Sequence, residues 1–163
     1  MAGDPEVGRW LSAMEDARRD TVREVEGLPD EAVDWRPEGA ENTIGTLLYH
    51  VALVEADWLL TDILGSDGAG LWPHDWLPFE DRDAEHRLTA VEGESLERHL
   101  ERLAAVRSLF LGQMRSMSGE EFHRVRARDR FDVAADGVVH HLLQHEAEHR
   151  AQIAALRDAR ARG

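Results

Sequence analysis

The stretch Val138–Leu156, VVHHLLQHEAEHRAQIAAL, constrains the rest of the chain more than any other. Its residues Val138, Leu142, Ile153 and Leu156 recur at helical spacing, so one face of a long helix must turn toward the interior or a cleft. His145 and His149 stand one turn apart beside that seam. On a helix both imidazoles leave the same face, with Cβ atoms roughly 6 Å apart. Both can then reach a single metal ion at about 2.0–2.1 Å. A second stretch of the same kind, Ile44–Ile63, carries His50 near its middle, with Leu47, Val54 and Asp57 on the same side. The expectation is that these two helices face each other and that His50, His145 and His149 hold one ion.

The remaining segments fit around that pair. Val7, Trp10, Leu11, Met14, Ala17, Thr21 and Val25 mark a first amphipathic helix from Glu6 to near Gly27, after a loose start at Met1–Pro5. Asp30–Trp35 reads as a single turn capped by Asp30, with Trp35 closing one end of the core. The second long helix is predicted to start at Asn42 or Thr43 and to run to Gly65. Ser66–Gly93 shows no sustained period; Trp72, His74, Trp76 and Phe79 within it suit either a lid or a plug for a surface groove. A third long helix is expected over Glu94–Met117, with His99 off its apolar seam and in solvent. Ser118–Glu121 has a capping-box pattern. The arginine-rich connector RVRARDRFDV reads as solvated or paired charge, and Asp136 is expected to cap the last helix. Four long helices without alternating strand patterns predict an all-α antiparallel four-helix bundle, one domain over residues 1–163.

Composition narrows the partners. The net charge is −14 and all 19 basic residues are arginine. Such an acidic surface excludes phosphate-backbone and anionic-membrane binding, which need basic faces, and leaves a small molecule or a protein as partner. The chain has no cysteine, so its metal ligands must be histidines and carboxylates. Without disulfides, a signal-type apolar run or a spanning segment, it is expected to be soluble and cytoplasmic.

Two buried imidazoles on one seam with no shared partner would be costly, and this favours a metal over a purely structural role. Gln152 can hydrogen-bond a ligand's free ring nitrogen or a bound water; Glu148 and Asp57 are further candidates for that task. His140 and His141 are spares, His141 one turn before His145. No fourth protein ligand is evident, which points to open coordination positions. The string H-E-A-E-H matches the H-E-x-x-H of zinc peptidases, but only 14 residues follow His149, none of them His or Glu. The peptidase reading therefore lacks its third ligand, and Glu146 is expected to pair with Arg150 one turn on.

Three segments together resemble a known family: DWRPEGAENTIGTLLYHVALVEADWLL (Asp34–Leu60), ESLERHLERLAAVRSL (Glu94–Leu109) and VVHHLLQHEAEHRAQI (Val138–Ile153). The chain resembles the DinB-like (YfiT-like) metalloprotein superfamily. That family has one His in the second helix and a His or Glu four residues before a His in the last, followed by Arg, a small residue and Gln. His50, His145, His149 and Arg150-Ala151-Gln152 match, with Ala151 where many members carry Gly. The resemblance implies a four-helix bundle, often a homodimer, with a divalent ion (Zn²⁺, sometimes Ni²⁺) at one end. It also implies a low-molecular-weight thiol cosubstrate such as mycothiol or bacillithiol, used for S-transfer or for isomerisation of maleylpyruvate. A metal held by neutral imidazoles with a vacant position depresses a thiol's pKa. The expected function is thus a metal-dependent thiol S-transferase or isomerase acting on a small electrophile. The alternatives are a divalent-metal-binding protein without catalysis and a metal-hydroxide hydrolase with Glu148 or Asp57 as base.

Overall fold

The computed structural model describes residues 3–127 and 132–162. Helix α1 covers Pro5–Val25. Its start is set rather than loose: Asp4 Oδ1 accepts from the Glu6 and Val7 amides at 2.8 and 3.3 Å, and proline takes the first helical position, where no N–H is needed. Gly27, at φ 77°, ends it in the left-handed region. The short helix α2 spans Asp30–Val33. Asp30 does not cap it. Its carboxylate instead accepts from the Leu96 amide at 2.9 Å, serving a free N–H at the start of a different helix. Trp35 is half-buried rather than sealed into the core.

Helix α3 spans Ile44–Asp57 with Thr43 as its cap, accepting from the Thr46 amide at 3.1 Å. Thr43→Ala is expected to cost about 1 kcal/mol in a chemical-denaturation experiment. The predicted helix then changes pitch. Trp58–Leu64 winds as a π-helical turn and Gly65–Gly68 as a 3₁₀ turn, with Gly65 at φ 59°. The segment after it is less irregular than expected: Arg82 pairs antiparallel with Leu88, and Asp83 Oδ1 accepts from the Glu85 and Arg87 amides at 2.9 and 3.0 Å to close the turn. Trp72 and Trp76 pack against the core.

Helix α4 covers Leu96–Met114 and is capped by Ser95, whose hydroxyl accepts from the Arg98 amide. The short helix α5, Gly119–His123, has the expected Ser118 cap. The connector of residues 124–133 bridges Arg126 to Val133; its residues 128–131 lie outside the described residues. Helix α6 runs over Ala135–Arg162. Asp136 sits inside its first turn rather than before it, and its carboxylate faces His123 Nδ1 at 2.9 Å. The helix outlasts Leu156 because Arg157 reaches back to the Glu24 carboxylate (2.5 Å) at the end of α1.

The four long helices form a bundle in which α1 and α3 each contact both α4 and α6. The apolar interior has two layers. Ile44, Leu47, Val51, Leu103 and Ile153 belong to one; Met14, Phe110, Phe122, Val138 and Leu142 belong to the other. Among the described residues no helix is long and apolar enough to cross a membrane.

Two groups of buried polar side chains depart from the sequence expectation. The first joins all four long helices. Arg18 of α1 donates to Glu146 Oε1 and Glu55 Oε2, both at 2.7 Å; Arg107 of α4 donates to Glu55 Oε1 at 2.7 Å and to Glu146 Oε2 at 3.0 Å. The remaining guanidinium nitrogens bond to the Leu103 and Met14 carbonyls. Glu146 therefore does not pair with Arg150, which donates to the Ala17 carbonyl. An inward carboxylate on α6 finds two guanidiniums already facing it, and a solvent-side partner cannot match that. Burial opposes the charge on Glu146, but Arg18 and Arg107 outweigh it and hold its pKa below 4.5.

The second group is centred on His99, which is 0 % exposed and not in solvent. Its Nδ1 accepts from Arg102 at 2.9 Å, and Arg102 also bonds to the Trp76 carbonyl and the Glu94 carboxylate. Gly45 makes room for the ring: a Cβ there would stand 2.9 Å from His99 Nε2. Burial, then the Arg102 charge, push the His99 pKa down from 6.5 to about 4, against the opposing pull of Glu94 and Asp34. The folded protein thus binds this proton less readily than the unfolded chain. Stability from this group is complete above pH 6.5 and is lost as pH falls toward 4, a total of about 3 kcal/mol. His99→Gln is expected to flatten the slope of unfolding free energy against pH in that window; an unchanged slope would contradict this assignment.

Candidate metal centre

His50 projects from the middle of α3 and is 7 % exposed; His145 and His149 project from successive turns of α6 and are half-buried. The packing of α3 against α6 brings the three rings together. His145 Nε2 lies 3.1 Å from His50 Nε2 and 3.0 Å from His149 Nε2. One nitrogen from each ring falls within 4.8 Å of the other two, a group able to hold a metal ion. Two nitrogens bound to a tetrahedral ion at 2.0–2.1 Å stand about 3.3–3.4 Å apart, so the two pairs that His145 makes need only a few tenths of an ångström of adjustment.

The outer ring nitrogens decide what the inner ones offer. His50 Nδ1 lies 2.6 Å from Asp81 Oδ1, and His149 Nδ1 lies 3.0 Å from Gln152 Oε1. The Asp81 carboxylate can only accept, so His50 Nδ1 carries the proton and its Nε2 turns a lone pair inward; with the Gln152 amide oxygen turned toward Nδ1, His149 does the same. His145 Nε2 faces both and can donate to only one of them. A cation satisfies the convergence and a proton does not. Burial, then the neighbouring His149, His50 and His141 rings, push the His145 pKa down to about 3, and burial also lowers that of His149. The hydrogen bond from His50 holds the Asp81 carboxyl below its ordinary range. At neutral pH His145 and His149 are thus neutral imidazoles beside the Asp81 carboxylate, the state that metal ligation requires of them.

The three rings line a cleft of about 930 Å³. Leu53, Val54, Trp58, Trp72 and Phe79 supply its apolar wall, while Asn42, Asp57 and Glu80 add polar groups. The π-helical turn begins at Trp58, whose ring stacks on His141 with centroids 4.3 Å apart. An added residue per turn at that point re-aims the side chains that follow α3, a common arrangement beside functional sites.

Of the residues named from the sequence, Gln152 touches the group directly. Asp57 is an exposed cleft residue that accepts from the Thr61 hydroxyl at 3.1 Å. Glu148 is exposed and reaches His149 through its charge alone. His141 lines the cleft and His140 is exposed. Asp81 was not singled out. It lies 31 residues from His50 in a segment without period, and nothing in the local sequence distinguishes it from Asp83.

No curated protein matches the chain. The crystal structure of a conserved protein from Enterococcus faecalis is similar over 96 % of both chains, with a TM-score of 0.73 and 15 % identity, a likeness of fold. The sequence profile of the DinB superfamily matches residues 13–153, a span that contains all three histidines and most of the four long helices, and the chain belongs to that superfamily.

Proposed function

We propose that His50, His145 and His149 hold a divalent ion, zinc in preference to nickel, and that the protein is an enzyme transferring a low-molecular-weight thiol to a small electrophile or isomerising one with its help. The observation that carries this reading is the convergence of three imidazole nitrogens on an open cleft rather than in a sealed core. The ion would supply positive charge and free coordination positions, which depress the pKa of a thiol. The thiol must come from a small molecule because the chain has no cysteine. The chain's own residues do the rest. Asp81 and Gln152 orient two of the rings. Trp58, Trp72 and Phe79 give an electrophile an apolar surface and keep water from one side of it.

Zinc-loaded protein incubated with mycothiol and a panel of electrophiles is expected to consume thiol faster than a His145→Ala control. Bound zinc with no thiol consumption on any electrophile would replace the enzyme by a metal-binding protein without catalysis. Turnover of esters or amides without thiol would favour hydrolysis instead.

A further inference from the structure

We propose that Asp81 is the positioning residue of this centre: it holds His50 in the Nδ1–H tautomer, keeps the Nε2 lone pair aimed at the ion, and ties the segment over the cleft to that task. This rests on the metal-binding reading above.

The segment Phe79–Asp81 is fastened to α3 at two consecutive residues. The Tyr49 hydroxyl donates to the Phe79 carbonyl and accepts from the Phe79 amide, both at 2.8 Å. Two residues on, Asp81 Oδ1 accepts from His50 Nδ1 at 2.6 Å. Asp81 is itself held from three sides. Its backbone carbonyl accepts from the Thr89 amide at 3.0 Å, and its Oδ2 lies 3.3 Å from Arg82 Nε. Arg82 in turn donates to the His86 carbonyl at 3.0 Å, within the turn that Asp83 closes. The carboxylate thus arrives on a braced hairpin, not on a loose side chain.

Its chemistry differs from that of Gln152. An amide can present either its oxygen or its nitrogen to an imidazole, so Gln152 tolerates both tautomers of His149. An ionised carboxylate can only accept, so Asp81 requires a proton on His50 Nδ1 and leaves Nε2 bare. Without it a neutral His50 is free to carry its proton on Nε2, where the ion needs a lone pair. Of the three rings, His50 is the most buried, so solvent is a poor substitute for the missing acceptor.

The test uses the full chain as wild type, Asp81→Ala and Tyr49→Phe. In metal-free protein, nitrogen-15 spectra of the imidazoles are expected to show His50 as the Nδ1–H tautomer in wild type and in Tyr49→Phe, and to show the Nε2–H form in Asp81→Ala. Zinc affinity measured by chelator competition is expected to weaken 10–100-fold in Asp81→Ala and to stay within about threefold in Tyr49→Phe. An unchanged tautomer or an unchanged affinity in Asp81→Ala overturns the proposal. So does an equal loss of affinity in Tyr49→Phe, which would make docking of the segment, not the carboxylate, the cause. Wild-type protein that takes up no zinc ends both this proposal and the metal reading, and that result is visible before any variant is compared. Zinc uptake by wild type with no effect of Asp81→Ala ends only this one.

Discussion

Glu146→Ala is expected to lower the unfolding free energy by about 3–5 kcal/mol, because it strands two guanidiniums inside the bundle. Arg18 and Arg107 are 7 % and 5 % exposed, and each divides its donors between Glu55 and Glu146. With both carboxylates present the four charges cancel and nearly every donor has a partner. With one removed, a net positive charge remains among buried side chains, where water is scarce. Each of the four residues lies on a different long helix, so the loss is felt by the whole bundle. In a chain of this length the melting temperature should fall by roughly 6–20 °C. Glu148→Ala, two residues away but exposed, should stay within about 0.5 kcal/mol of wild type in the same denaturation experiment. A Glu146→Ala protein as stable as that control would show that the buried square contributes nothing. Acid acts on the same contacts. Arg18 and Arg107 hold the folded pKa of Glu146 below its ordinary 4.5, so the stabilisation is complete above that pH and is lost as pH falls through the lower folded value.

Zinc is expected to stabilise the wild-type protein and to have no effect on His145→Ala. A ligand that binds the folded state alone adds about 2.7 kcal/mol at a hundred times its Kd, which corresponds to a rise of roughly 5–11 °C in melting temperature here. His145 is the sensitive position because its Nε2 stands at 3.1 and 3.0 Å from the other two rings, between them. Removing it leaves His50 and His149 on separate helices with no ring in the middle. A zinc-induced shift of equal size in His145→Ala would place the ion elsewhere.

How far the sequence revealed this arrangement varied from residue to residue. The histidine trio was legible because its signals are local: His145 and His149 sit at a helical repeat, and His50 sits mid-way along an apolar helix. The helix start at Ser118 was equally plain, and that of α3 was narrowed to Asn42 or Thr43, since a cap is decided within three residues. The start of α4 combines a local signal with a distant one: Ser95 caps it within three residues, while its Leu96 amide is served by Asp30, 66 positions away. The buried charges left a trace that went unread. Arg18 falls one turn after Met14, Glu55 one turn after Val51, Arg107 one turn after Leu103 and Glu146 one turn after Leu142, all on inward seams. A charge repeating in phase with the core on four helices indicates mutual pairing, yet each taken alone resembles an ordinary surface residue. His99 misled for the same reason: its acceptance of a bond from Arg102 and the space left by Gly45 are tertiary facts. Asp81 had no trace at all, since its role depends on where a hairpin of irregular sequence lands on α3.

The most direct test of the central claim is the zinc content of the purified protein, measured for wild type and for His50→Ala, His145→Ala and His149→Ala after equal exposure to the metal. Convergence of three rings on one ion predicts about one zinc per wild-type chain and a large loss in each of the three variants. Retention of wild-type stoichiometry in any two of them would show that the rings meet without sharing a cation.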